Sequence, residues 1–185
     1  ELDKTIFEDR TLEPYFLEQL FNRLSFFYPN TRFELKGNDN TPAQYFQCTE
    51  GLSTLFSQWT TTYQFSHKPI HIKFEQDGYA LEMIFAYRNY SKAELRTFVN
   101  SHPMRNDVGT FIAGCYQGIH AAINAESPEG KHNMATVKSS LVMMVALKID
   151  PERVRYDASL KHMNFATEGI QVPIKKTVKA LLTQE

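Results

Sequence analysis

Between Leu95 and Asn124 the chain changes periodicity in a way few folds can accommodate. Leu95-Arg96-Thr97-Phe98-Val99-Asn100 suits a pleated strand. Ser101-His102-Pro103-Met104-Arg105-Asn106-Asp107-Val108 is rich in residues that favour turns over ladders. From Phe111 the apolar residues fall at Phe111, Ile112, Cys115, Ile119, Ala122 and Ile123, which is helical spacing. The segment therefore reads strand, loop, helix. Gly114 and Gly118 lie one helical turn apart on a single face. A glycine inside a helix costs roughly 1 kcal/mol against alanine, so a pair of them predicts that another backbone approaches there.

The rest of the chain supplies a sheet and further helices. Thr11 is placed to cap a helix that carries Phe16, Leu17, Leu20, Phe21, Leu24 and Phe27 inward and stops at Pro29-Asn30. A short hairpin follows, with strands at Thr31–Leu35 and Gln44–Thr49 around a turn at Gly37–Asn40. Gly51 to Trp59 predicts a short helix with Leu52, Leu55 and Phe56 inward and Trp59 packed at its end. Ile70, Ile72 and Phe74 alternate with polar residues, Asp77-Gly78 is a hairpin turn signal, and Tyr79 to Tyr87 alternates again. With Glu94–Asn100 these strands predict an antiparallel meander. After a polar loop at Glu126–His132, the unbroken apolar run Leu141–Leu147 fits a strand buried on both faces. Val172 to Leu182 then forms an amphipathic helix with Ile174, Val178, Leu181 and Leu182 on one face and Lys175, Lys176 and Lys179 elsewhere. The sum is an α+β two-layer domain, one sheet with helices on one face.

Composition sets limits. A length of 185 residues suits one domain, with residues 1–12 as a lead-in. A net charge of −1 gives no broad basic field for nucleic acid. Cys48 and Cys115 form no CxxC pair and read as free thiols. No apolar run reaches the ~20 residues of a membrane span. The chain begins at Glu1 without a signal peptide, and the expectation is a piece of a longer protein.

Most motifs for chemistry are absent. Gly109-Thr110-Phe111-Ile112-Ala113-Gly114 has the glycine spacing of a phosphate loop, but Cys115-Tyr116 stands where Lys-Ser/Thr must be. The six histidines make no HExxH pattern, and there is no GxSxG elbow.

Phe98-Val99-Asn100, Pro103 and Asp107 through Gly109-Thr110, opening a helix with Ala113-Gly114, resemble the central part of the transducer, the second domain of the ATPase subunit of type II DNA topoisomerases (gyrase B, topoisomerase IV B, the phage large subunit). Ile6-Phe7-Glu8-Asp9 is similar to that domain's lead-in. The family places two glycines, a threonine and a histidine at the helix start; here Val108, Gly109, Thr110 and Phe111 stand there. The resemblance runs from Ile6 to Leu182. It implies a ribosomal protein S5 domain 2-like sandwich with a mixed sheet and a left-handed βαβ crossover, against the general right-handed rule.

The resemblance also implies a site. After Asp150-Pro151 the family has an aromatic and then a Gln-Thr-Lys triplet, whose lysine reaches the γ-phosphate of ATP in the neighbouring domain. The register puts Tyr156 at the aromatic and Ser159-Leu160-Lys161 at the triplet. Lys161 and Ser159 are therefore the nucleotide-binding residues implied here, the glutamine and threonine having been replaced. ATP and Mg²⁺ would be held mainly by the adjacent ATPase domain, and no catalytic residue is expected in this chain. The implied partners are a DNA duplex, a breakage-reunion (A-type) subunit or domain and a second copy of the full-length protein, in the cytoplasm of a bacterial or phage-infected cell. Lys131, Lys138, Lys175, Lys176 and Lys179 are candidate phosphate contacts; a solvated helix face explains them equally well. Two other functions remain open: a MutL-type mismatch-repair clamp with the same ATPase head, and a non-enzymatic module binding nucleic acid or protein on the same fold.

Overall fold

The computed structural model describes residues 14–37, 42–104, 109–127, 129–153 and 169–184. The chain divides into two compact units, Glu1–Trp59 and Thr60–Glu185.

The first unit holds helix α1 (Pro14–Phe27), strands β1 (Phe33–Leu35) and β2 (Gln44–Phe46), and helix α2 (Leu52–Trp59). The strands pair antiparallel as a sheet of their own. Pro14 opens α1, where its missing N–H costs nothing. Phe21 joins helix to hairpin: its ring stacks on Phe33 at 5.7 Å and meets Phe46 edge-on at 6.0 Å. Phe16, expected inward, is 66% exposed. Helical phase tells which face is apolar but not how far along the helix its cover extends. The hairpin's rings meet α1 at Phe21, more than a turn beyond Phe16. Leu52 and Phe56 are buried as expected, and Trp59 packs edge-on against Phe56.

The second unit contains β3 (Ile70–Gln76), β4 (Tyr79–Tyr87), β5 (Glu94–Val99), β6 (His102–Met104), α3 (Thr110–Glu126), α4 (Met134–Lys138), β7 (Leu141–Ile149), a 3₁₀ turn (Pro151–Arg153) and α5 (Gln171–Leu182). β3 and β4 form the hairpin predicted from Asp77-Gly78, both residues having positive φ (47° and 78°). That conformation matches the twist of the flanking strands.

The predicted meander is corrected. Strand order is β3-β4-β7-β5-β6. β7 lies between β4 and β5, antiparallel to the first and parallel to the second, so β4 and β5 are not neighbours. The cause is the apolar run itself. Leu141 to Val145 are all buried, and so is Leu147. Burial stabilises each such side chain by roughly 1.5–3 kcal/mol, and only an interior strand hides both faces. One face of the sheet carries Leu81, Met83, Phe85, Met143, Val145 and Leu147 into a core with α3 and α5. On the other face Ile84, Ala86, Val142 and Met144 are also buried.

The loop expected after Asn100 is also corrected. Asn100 (φ 48°) and Ser101 (φ 67°) make a tight turn, and His102–Met104 return as an edge strand on β5. Pro103 argues against a central strand, but an edge strand needs no donor on its outer side.

α3 carries the predicted apolar face into the core, and α5 lies along it. A Cβ at Gly114 would stand 2.7 Å from the Gln171 carbonyl oxygen, and one at Gly118 2.6 Å from Val178 Cβ. The glycine pair thus admits α5. Its contact stripe is Ile174, Val178 and, partly buried, Leu182. Leu181, expected on that face, is 38% exposed. Two helices meeting this closely share a narrow seam of every fourth residue, and Leu181 falls beside it. The expected α+β fold, a mixed sheet with helices on one face, is the one found. No helix among the described residues is long and apolar enough to cross a membrane.

Candidate functional site

The segment to which the resemblance assigns a site follows the end of β7, and that end is tied down from both sides. The β5–β7 ladder stops at Val99 opposite Leu147. Beyond it, Asn100 N–H donates to the Leu147 carbonyl at 2.9 Å. The Asn100 side chain then takes both main-chain groups of Ile149: the Ile149 N–H donates to Oδ1, and Nδ2 donates to the Ile149 carbonyl, each at 2.9 Å. On the other side Ile149 pairs with Tyr79 at the start of β4. Glu152 N–H donates to Asp150 Oδ1 at 2.9 Å and closes the 3₁₀ turn. Arg153 Nη1 donates to the Asp77 carbonyl at 2.7 Å, in the β3–β4 turn.

Residues 154–168 follow Arg153. Lys161 and Ser159, with Tyr156 and Leu160, belong to this segment and lie outside the described residues. The chain is described again from Gly169, and Ile170, next to it, is buried.

The candidate phosphate contacts are dispersed. Lys175, Lys176 and Lys179 are exposed on α5, which has no acidic residue in its first turn. Lys131 is exposed in the loop between α3 and α4. It shares an open groove of about 500 Å³ with Glu126, Ser127, Glu129, Gly130 and His132, and the two carboxylates weaken its pull on an anion. Lys138 is half-buried, its ammonium 4.0 Å from the centroid of the Tyr116 ring. That cation–π contact ties it to the core. Among the described residues no group of three His, Cys, Asp or Glu is placed to hold a metal ion.

At the opposite end of the sheet lies a charged cluster that motif reading missed. The Arg88 side chain is 1% exposed and pairs with Glu94 at 3.0 Å. Its guanidinium carbon stands 3.5 Å from the centroid of Tyr63 and 5.1 Å from that of Tyr90, while Nε and Nη2 make no hydrogen bond. Glu94 also accepts from Tyr63 Oη at 2.7 Å and meets Lys92 Nζ at 3.3 Å. Burial alone would raise the Glu94 carboxyl, but hydrogen bonds from Tyr63, Lys92 and Arg88 outweigh it and hold the carboxyl below its usual range. The cluster spans the crossing from β4 to β5, where the chain must bridge the width of β7. Cys115 is buried, its thiol pushed up to about 12 by desolvation, and Cys48 is half-buried; both are free thiols as expected.

No family model and no characterised protein matches the sequence. Solved structures do match. The B-subunit of DNA gyrase from Myxococcus xanthus superimposes with a TM-score of 0.77 at 20% identity, covering 97% of this chain and 52% of that one. The chain has the fold of half a gyrase B chain. The 43K ATPase domain of Thermus thermophilus gyrase B, in complex with an aminocoumarin, gives 0.76 at 14% identity, with 97% and 50% covered. The ATP-binding domain of Francisella tularensis topoisomerase IV, in complex with a small-molecule inhibitor, gives 0.76 at 18%, with 98% and 50% covered. This chain therefore spans about half the length of the gyrase B and topoisomerase IV chains it matches. At these identities the likeness establishes the fold.

Proposed function

We infer that this chain is the transducer of an ATP-dependent type II DNA topoisomerase ATPase subunit. It couples nucleotide binding and hydrolysis in an adjacent ATPase domain of the GHKL (histidine-kinase-like) class to DNA strand passage. The observation that carries the reading is the structural match itself: nearly the whole chain coincides with half of chains described as gyrase B subunits or as ATPase and ATP-binding domains. What supports it further is the course of the chain. Its central strand β7 leads directly into the segment bearing Ser159-Leu160-Lys161, the counterpart of the family's Gln-Thr-Lys.

The donor set suits a terminal phosphate. An ammonium on a flexible stem tracks phosphate oxygens as a point charge, and a hydroxyl adds one short-range donor. Lys161 would hold the terminal phosphate and Ser159 would support it. Loss of that charge on hydrolysis would free Lys161 and release the hold on β7, changing the angle between the two domains. The reading assigns Mg²⁺ to the neighbouring domain. The exposed lysines of α5 would meet a passing duplex through its phosphates, without sequence preference.

Lys161→Ala in the full-length subunit tests the assignment. The expected result is a fall in ATP turnover of about a hundredfold, the scale on which a lost charge contact to a transferring phosphate acts, with an unchanged melting temperature. Unchanged turnover removes Lys161 from the site.

A further inference from the structure

We propose that the His67 imidazole is an acid-sensitive latch, which fastens residues 60–69 to β4 only while its ring is neutral. This segment carries the chain from the end of α2 to the start of β3.

The β3–β4 ladder runs from Gln76 opposite Tyr79 to Ile70 opposite Phe85. Two residues further, the same register would set Lys68 opposite Tyr87. Tyr87 turns its main-chain groups to that side. The next residue, Arg88, donates its N–H to the Ser140 carbonyl on the β7 side, and successive residues of a strand face opposite neighbours. A direct bond from Tyr87 N–H to the Lys68 carbonyl would continue the ladder. The His67 imidazole stands between these two groups instead. Tyr87 N–H donates to Nε2 at 3.1 Å, and Nδ1 meets the Lys68 carbonyl at 2.7 Å. The Tyr87 carbonyl is taken by Ser66, through its N–H and its Oγ, each at 2.9 Å.

These partners dictate the protonation of the ring. A main-chain N–H can only donate, so Nε2 carries no proton. A carbonyl can only accept, so Nδ1 carries one. A second proton, on Nε2, would set two donors face to face and leave Tyr87 N–H without its acceptor. Among the described residues no carboxylate stands within ion-pair distance of the imidazole to hold its charged form in place. The opened segment can take up the proton and the latched one cannot, so the latch is closed at high pH and released as the pH falls.

Histidine changes charge between pH 5 and 8, and the groups packed around His67 come from three elements. On β4, the Tyr87 ring lies 5.8 Å away with its hydroxyl pushed up to about 12 by burial, so it stays neutral. Lys68, next along the chain, and Arg88, next to Tyr87, are cationic and offer an imidazolium no counter-charge. On β5, Glu94 accepts from Tyr63 and pairs with Arg88, and its carboxyl is held below its usual range. The Tyr63 end of the segment therefore stays fastened in the interval where the His67 end opens. On β3, His71 is engaged separately by Glu82 at 2.9 Å.

The test reads amide exchange, residue by residue, in the full-length protein at pH 8 and pH 5, as protection relative to the free-peptide rate at each pH. Wild type, His67→Gln and His67→Ala are compared. On acidification wild-type Tyr87 should lose about tenfold in protection, the scale of one backbone hydrogen bond, with β7 unchanged. The glutamine amide oxygen reaches the place of Nε2 and accepts at either pH, so His67→Gln should keep Tyr87 protected at both. His67→Ala should show the low value at both. Equal protection of wild-type Tyr87 at pH 8 and pH 5 overturns the latch. An acid-dependent loss that persists in His67→Gln also overturns it, by putting the titrating group elsewhere, with His71 the first to examine. Full protection of Tyr87 in His67→Ala does the same.

Discussion

Replacing Gly118 by alanine asks whether α5 is seated on α3 as described, because two opposed effects make the sign diagnostic. In an exposed helix interior the change would stabilise by about 1 kcal/mol. Here the added Cβ would lie 2.6 Å from Val178 Cβ, 2.7 Å from Val178 Cγ1 and 3.1 Å from the Lys175 carbonyl oxygen, where ordinary contact begins at 3.4 Å. The helices must part by most of an ångström, or Val178 must leave its rotamer. Neither is easy. A valine has essentially one χ1 well in a helix, and the Lys175 oxygen is main chain. Overpacking of this kind typically costs 1–3 kcal/mol, and the rigidity of both neighbours puts it in the upper half of that range. The net expectation is a loss of about 1–2 kcal/mol, or about 3–6 °C in Tm for a chain of this size. Urea and thermal unfolding followed by far-ultraviolet circular dichroism would measure it. Val178→Ala added to Gly118→Ala should give little relief, because the alanine retains the Cβ that clashes. A gain of about 1 kcal/mol in Gly118→Ala would refute the close α3–α5 packing.

Two further outcomes follow from the charges. Glu94→Gln leaves the buried Arg88 guanidinium without its counter-charge and should cost about 3 kcal/mol at pH 7. The Glu94 carboxyl is held below its ordinary 4.5 in the folded chain, so on acidification the unfolded state takes up the proton first. Its contribution is therefore present above pH 4.5 and fades below it. Urea unfolding at pH 7 and pH 3.5 should show the Glu94→Gln deficit shrinking in acid, and a deficit independent of pH would contradict the sign. Replacing Lys175, Lys176 and Lys179 together by alanine should weaken duplex binding for all sequences and flatten the slope of log K against log salt by up to about 3. Lys138→Ala, already engaged by Tyr116, should change the slope less. An unchanged slope in the triple variant removes α5 from the duplex contact.

How far the amino-acid sequence discloses the fold depends on what each signal measures. Asp77-Gly78 names a turn type, and the β3–β4 hairpin follows from it. The run Leu141–Leu147 names an environment, and the structure supplies that environment at the middle of the sheet. The second signal names no neighbours. Alternation from Ile70 to Asn100 suggested consecutive pairing, yet β7 takes the place between β4 and β5 because its own burial demands it. Pro103 disguised β6, since a proline excludes a central strand but tolerates an edge. Phe16 and Leu181 show the limit of helical phase: the face is right, but the cover ends short of one and to the side of the other. Gly114 and Gly118 were more informative, because their cost in a helix interior required a compensating contact.

The proposed nucleotide site rests on resemblance alone, and its residues lie outside those the structure describes. A lysine in a mixed polar segment has no signature of its own, and Lys161 is singled out by the register of the resemblance alone. Asn100 carried a weak local signal, an asparagine followed by serine at a strand end, where left-handed turns are common. Its partner Ile149 lies far along the chain, so nothing local could announce the clamp. Arg88 and Glu94 are only six residues apart, but neither helical nor strand spacing pairs such positions, and the loop that crosses β7 is what brings them together.

The central claim is that this chain converts events at a nucleotide into movement of DNA. ATP turnover and plasmid strand passage, read in the same reaction for the full-length protein with the breakage-reunion partner that the proposed function requires, test it most directly. The account predicts that wild-type protein passes strands in proportion to ATP consumed and that Lys161→Ala loses both together. Strand passage that persists in Lys161→Ala, or ATP consumption with no passage by the wild type, would contradict it.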